Sequence, residues 1–152
     1  MPFATDTANT VLGWAFGKNT LANNSKVYIG LSSNDPEADS GTFTELSGGG
    51  YTRVLLSVYN NQYPDYIGAA SGREIKNTKQ IAWPKATADW TTAKGFGLFT
   101  AETGGKPYYY GALSAAVTCA TGEICEFDPN TLRIKLAAVD ELLTDVNALL
   151  GD

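Results

Sequence analysis

Carboxylates and two thiols are the groups in this chain with the widest chemical reach. Asn34-Asp35-Pro36-Glu37-Ala38-Asp39-Ser40-Gly41 sets three carboxylates at alternate positions, a spacing that suggests an oxygen-ligated cation. A calcium loop of the EF-hand kind needs Gly at its sixth position and Glu at its twelfth, where counting from Asp35 gives Ser40 and Leu46. The segment therefore reads as a solvated acidic turn. Glu123 and Glu126 are a second carboxylate set. Glycoside hydrolysis asks for two such groups about 5 to 9.5 Å apart across a cleft, whereas Glu123 falls at a turn and Glu126 at an outward strand position. Ser47-Gly48-Gly49-Gly50-Tyr51 is rich in glycine, but it lacks the Gly-Lys-Ser/Thr ending of a phosphate loop and leads into a strand instead of a helix. Cys119 and Cys125 flank Thr121-Gly122; a hairpin loop there would set them opposite each other for a disulfide, and a reducing compartment would leave two partly buried thiols.

The chain contains no histidine, which removes Ser-His-Asp and Cys-His catalysis and any histidine-ligated zinc. No catalytic residue, metal ligand set or cofactor is expected. Trp83 and Trp90 with Tyr108, Tyr109 and Tyr110 would suit a sugar-stacking platform; large aromatics in a small β protein more commonly build its core. The net charge of −5 has the wrong sign for a surface that neutralises phosphates, so nucleic acid is not an expected partner. Met1 to Thr10 has neither the positive n-region nor the apolar h-region of a secretory signal, and no run reaches the ~18 apolar residues of a membrane span. Synthesis and assembly in the cytoplasm, away from membranes, are expected.

Hydropathy patterning supplies the elements that would position these groups. At 152 residues the chain fits one domain. Ala8, Val11, Leu12, Ala15 and Phe16 recur at helical spacing, predicting a helix over about 6–18 that Asp6 caps and Asn19 stops. After it the period becomes two. Val27, Ile29 and Leu31 predict a half-buried strand ending at Asn34-Asp35-Pro36. Val54, Leu56 and Val58, then Ile81 and Trp83, then Phe96 and Leu98 predict three more, followed by Tyr108 to Tyr110, Val117 to Cys119, Ile124 to Phe127, and Leu132, Ile134 and Leu136. Short strands punctuated by Gly, Pro and Asn predict a mainly β fold: a single antiparallel β-sandwich over 1–136, with an N-terminal helix. Its expected core is Val27, Ile29, Leu31, Val54, Leu56, Ile81, Trp83, Phe96, Leu98, Phe127, Leu132, Ile134 and Leu136. Over 137–152 the period reverts to helical. Val139, Leu142, Leu143, Val146, Leu149 and Leu150 form one apolar stripe, predicting a C-terminal amphipathic helix.

Val27-Tyr28-Ile29-Gly30-Leu31, Asn34-Asp35-Pro36 and Ser47-Gly48-Gly49-Gly50-Tyr51-Thr52-Arg53 together resemble a strand, DP turn and SGGGYxR signature. Trp83-Pro84-Lys85-Ala86-Thr87-Ala88-Asp89-Trp90 resembles FPxATADW, and Gly95-Phe96-Gly97-Leu98-Phe99 resembles HFGLF with Gly95 in place of a common histidine. Thr103-Gly104-Gly105 followed by Tyr110-Gly111-Ala112-Leu113 resembles TGG…YGAL. In this order these elements resemble those of a family of small bacteriophage virion proteins labelled tail fibre proteins. The segment from Tyr59 to Lys79 is longer than that family's connection, and the tail beyond Leu136 is an addition to it.

The resemblance implies a non-enzymatic structural protein of the virion, in the tail or its fibre and adhesion apparatus. Its implied partners are other phage virion proteins in a homo-oligomeric assembly. Capsid decoration and a host adhesin that binds surface glycan are the alternatives. Two segments are expected to carry contacts. Tyr59, Tyr63 and Tyr66 stand in a polar loop with neither strand nor helix period, and tyrosine concentrates at recognition surfaces. Leu142, Leu143, Val146, Leu149 and Leu150 belong to a helix too short to be stable alone, so the stripe is expected to dock on a partner or on its own sandwich.

Overall fold

The period-two segments pair into a five-stranded antiparallel sheet. In the computed structural model, which describes residues 3–20 and 24–135, helix α1 (Thr5–Ala15) precedes strands β1 (Lys26–Ser32), β2 (Val54–Val58) and β3 (Gln62–Asp65). Strands β4 (Glu74–Lys76), β5 (Ile81–Ala82), β6 (Ala93–Phe99), β7 (Tyr109–Val117), β8 (Glu126–Phe127) and β9 (Arg133–Lys135) follow. The large sheet has the order β3-β2-β1-β6-β7. Two short antiparallel ladders, β4 with β9 and β5 with β8, pack Ile81, Trp83 and Leu132 against Ile29, Leu31, Leu56, Phe96 and Leu98 of the sheet. The fold is mainly β and antiparallel, with one helix near the N-terminus, as the alternation predicts.

The expected core is found where the pattern places it. Ile29, Leu31, Leu56, Ile81, Trp83, Phe96, Leu98 and Leu132 are buried, and Val27, Val54, Phe127 and Ile134 are half-buried against them. Leu136 and the predicted helix over 137–152 lie outside the described residues.

Several expectations need correction. β1 is not half-buried. From Tyr28 to Ser32 every residue is buried, because the segment after β1 folds back over the sheet's second face. Leu46 donates its amide to the Leu31 carbonyl at 3.0 Å, and Ser33 donates to the Thr44 carbonyl at 2.9 Å. Gly95 permits this closure: a Cβ there would collide with Pro36 Cδ and would lie 2.6 Å from Ser32 Oγ. Gly95 is thus a position where any side chain would push the DP turn away from the sheet.

Tyr108 to Tyr110 and Val117 to Cys119 are not separate strands. β7 runs unbroken through Tyr109–Val117, with an irregular register against β6 that absorbs the extra residues. The segment from Tyr59 to Lys79 is not a plain loop either. A 3₁₀ turn at Tyr59–Asn61 leads into β3, and β4 follows. Asp6 does not cap α1; it lies in the first turn, after an Ala4 N-cap that makes no side-chain hydrogen bond. The helix ends at Ala15, with Phe16 as its C-cap and Gly17 just past it, and not at Asn19. Lys18 donates to the Gly13 carbonyl at 2.7 Å and Gly17, with φ 70°, donates to Trp14 at 3.1 Å, the two bonds of a Schellman closure.

Asn77 ties the small ladders together. Fully buried, it donates from Nδ2 to the carbonyls of Lys79 at 2.8 Å and Asp128 at 3.0 Å, while its Oδ1 accepts the Leu132 amide at 3.0 Å. Its backbone also accepts from Asn130 at 2.9 Å and donates to Leu132 at 3.2 Å. The Asn77 side chain's amide protons and carbonyl oxygen thereby find partners within the protein, as burial demands.

Two substitutions test this architecture. Leu31→Ala removes a fully buried side chain and should cost about 2–5 kcal/mol in chemical denaturation. Gly95→Ala adds one methyl, yet it should destabilise by at least ~1–3 kcal/mol because strand and turn must separate to admit it.

Candidate functional site

The signature residues converge on one ion pair. Glu45 accepts Arg53 Nε at 2.8 Å on Oε1 and Nη2 at 2.7 Å on Oε2, a two-pronged pairing. Arg53 Nη1 donates to the carbonyls of Ala101 at 2.8 Å and Gly104 at 2.9 Å, and the guanidinium carbon lies 3.4 Å from the Phe99 ring centroid. Tyr51 completes the cluster: its hydroxyl accepts the Leu31 amide at 2.8 Å and donates to Glu45 Oε1 at 3.0 Å. The Arg53 side chain is 2% exposed and that of Glu45 29%. Each guanidinium nitrogen is engaged with the fold. The cluster fastens three loops to one face of β1 and β6.

The glycine run and the Trp90 segment interlock beside it. Gly49, with φ 59°, accepts Trp90 Nε1 at 2.8 Å and the Thr87 amide at 2.9 Å, and a Cβ on it would lie 2.8 Å from both Trp90 Cδ1 and the Ala88 carbonyl oxygen. Tyr51 and Trp90 meet edge to face at 5.5 Å. On its other side this segment pairs with the Cys119 to Cys125 hairpin. Trp83 donates to the Cys125 carbonyl and Trp90 to the Cys119 carbonyl, each at 2.9 Å. Asp89 accepts Thr121 N at 2.7 Å and Oγ1 at 2.9 Å, bonds that hold its carboxyl below the usual aspartate range. Cys119 and Cys125 are free, buried thiols.

Other sequence candidates resolve into structural roles. Trp83, Trp90 and Tyr109 are buried, and Tyr108 and Tyr110 are half-buried, so together they form no exposed stacking platform. In the acidic turn, Asp35 Oδ1 accepts the Glu37 amide at 2.9 Å, and Asn34 donates to Asp39 at 2.8 Å and to the Thr42 carbonyl at 2.7 Å. Glu123 accepts the Ala120 amide at 3.0 Å within its own turn, and Glu126 is exposed on β8. Among the described residues no group of three or more His, Cys, Asp and Glu side chains is placed to hold a metal ion, and no helix is long and apolar enough to cross a membrane.

The surface holds the remaining candidates. Tyr63 on the edge strand β3 is 87% exposed and Tyr59 51%. Tyr66 is half-buried and packs on the core, its amide donating to Leu56 at 2.9 Å. Leu142, Leu143, Val146, Leu149 and Leu150 lie outside the described residues. Sequence reasoning missed one feature. Helix α1 buries none of its residues, and Leu12, Trp14 and Phe16 at its C-terminal end are 58%, 54% and 76% exposed. Its helical apolar spacing was a signal for amphipathicity, but spacing alone does not say whether the protein's own core covers the face.

Two measurements probe the cluster. Arg53→Met strips Glu45 of its partner and should cost about 3 kcal/mol, the low end for a broken buried pair because Glu45 keeps contact with water. Arg53→Lys should not rescue it, since one ammonium cannot span the carboxylate and both carbonyls. The second is alkaline stability. Burial pushes the Tyr51 hydroxyl well above its ordinary value, raises Tyr108 to about 12 and raises Cys125 to about 11. The folded state therefore keeps these protons after the unfolded chain has begun to release them. Stability should be intact below pH ~9 and fall progressively towards ~12, read as melting temperature against pH.

No curated protein sequence matches this chain. A family model does, over residues 2–135, a span that holds the ion pair, the glycine interlock, both small ladders and α1. On that match across most of its length, the chain belongs to the family described as podophage GP4 fiber I protein gp80.

Proposed function

We propose that the chain is a structural subunit of a podophage tail fibre, working through contacts with other virion subunits, further copies of itself included, and not by catalysis. The observation that carries this reading is the uncovered helix α1. A helix of 11 residues is marginal alone in water, and this one exposes Leu12, Trp14 and Phe16 and fully buries none of its residues. Large apolar side chains displayed on a rigid β body suit burial in a neighbour. Tyr59 and Tyr63 offer a second patch. Pro64 interrupts the backbone donors of edge strand β3, so this edge suits side-chain recognition better than addition of another strand. The buried cluster around Arg53 supports the same conclusion from the other direction, since its polar groups are consumed in holding loops.

The test is particle incorporation. Leu12→Gln with Trp14→Gln should change stability by about 0.5 kcal/mol or less, as expected of exposed positions. The same variant should lower incorporation into particles about tenfold or more, the effect of losing an anchor worth about 1.4 kcal/mol. Tyr63→Ser should behave alike. Unchanged incorporation by both would overturn the proposal. A glycan array on which the parent binds one sugar and Tyr63→Ser does not would assign the tyrosine patch to a host surface instead.

A further inference from the structure

We propose that an apolar cavity between the large sheet and the β4–β9 ladder is the seat of this chain's own C-terminal segment, residues 137–150, folded back onto the domain that precedes it. The cavity measures about 220 Å³, and its lining includes Val27, Leu56, Ile67, Ile75, Leu98 and Ile134. Ile67, Ile75 and Ile134 are only half-buried, so the space opens at the surface on that side. A cavity of about 150 Å³ lined by such side chains accommodates a benzene, so this one suits one or two leucine side chains. Left empty, it forfeits dispersion contacts for every group around it.

Three observations select the occupant. The first is where the chain leaves. β9 ends at Lys135, and Leu132 and Ile134 both line the cavity, so the chain departs from the cavity wall itself. Residues 136–138 are all that separate that wall from Val139, and a connection so short favours the adjacent surface over a distant one. The second is the shape of the stripe. Val139, Leu142, Leu143, Val146, Leu149 and Leu150 give three apolar positions in each heptad, the width of a helix laid on a core, whereas a two-stranded coiled-coil seam uses two. The third is charge. The tail carries Asp140, Glu141, Asp145 and Asp152 with no Lys or Arg. The ladder beside the cavity carries Lys76, Arg133 and Lys135 against the single carboxylate of Glu74, which takes Lys135 at 3.3 Å and Arg133 at 3.6 Å. Lys76 is exposed and lines the cavity. A basic ladder thus faces an acidic, leucine-rich segment that begins beside it.

The experiment uses the full chain. In methyl NMR, Ile75 and Ile134 should show contacts to tail leucines in a uniformly labelled sample. A mixture of labelled and unlabelled chains should show none between chains. Contacts that appear only between chains would overturn the proposal in favour of an exchanged tail, and absence of any contact would overturn it outright. Xenon supplies an independent readout. Methyls of Ile67, Ile75 and Leu98 should be insensitive to xenon in the parent and should shift in Leu142→Asp with Leu149→Asp, whose tail can no longer enter. Xenon shifts of equal size in both chains would contradict a filled cavity. Should the double variant fail to fold, the contacts in the parent decide the question alone.

Discussion

The guanidinium of Arg53 is the point on which the rest of the structure depends. A sheet that packs one face on a core leaves the other to water, and here loops cover that second face. Loops have few backbone partners of their own, so something must hold them down. Arg53 does so with donors fanned to Glu45 and to the carbonyls of Ala101 and Gly104, its flat face resting on Phe99. Lysine offers no such fan. The price of desolvating the charge is offset because all three nitrogens meet acceptors and one face of the group meets a ring.

The small residues around it follow from the same constraint. Gly95 lets the DP turn lie directly on β6, and Gly49 lets the Trp90 indole donate to a backbone carbonyl at contact distance. These contacts are local and rigid, and they join segments far apart in sequence. They account for a signature dispersed through the chain as short pieces: each piece is one side of a contact whose other side is another piece. The polar atoms of Glu45, Tyr51 and Arg53 are engaged with one another and with the backbone. On the outer surface, α1 and the tyrosines at the β3 edge display large exposed hydrophobics.

Much of this was legible in the sequence where one rule governed alone. Ile29, Leu31, Leu56, Phe96 and Leu98 stand at alternate positions of their strands, and each is buried as the alternation requires. The misreadings share a cause, which is tertiary context. Tyr28, Gly30 and Ser32 look like a solvent face, and they are buried because the segment that follows β1 folds back over them. β3 and β4 are short, carry Pro64 or alternate weakly, and exist because β2 and β9 offer them ladders. Asp6 has the chemistry of a cap, yet the helix starts one residue earlier because Ala4 is held by Tyr108 at 2.9 Å. The bare apolar end of α1 was beyond sequence reasoning, since periodicity reports a face and not what covers it.

Locating the chain in a reconstructed map of the assembled particle tests the central claim most directly. The claim is that the signature residues build the body while α1 and the β3 edge make the contacts. It predicts side chains of neighbouring subunits packed against Leu12, Trp14 and Phe16 or against Tyr59 and Tyr63, with the loops over Arg53 touching no neighbour. A map in which α1 and both tyrosines face solvent, while subunits meet through the loops around Glu45, Gly49 and Arg53, would contradict it.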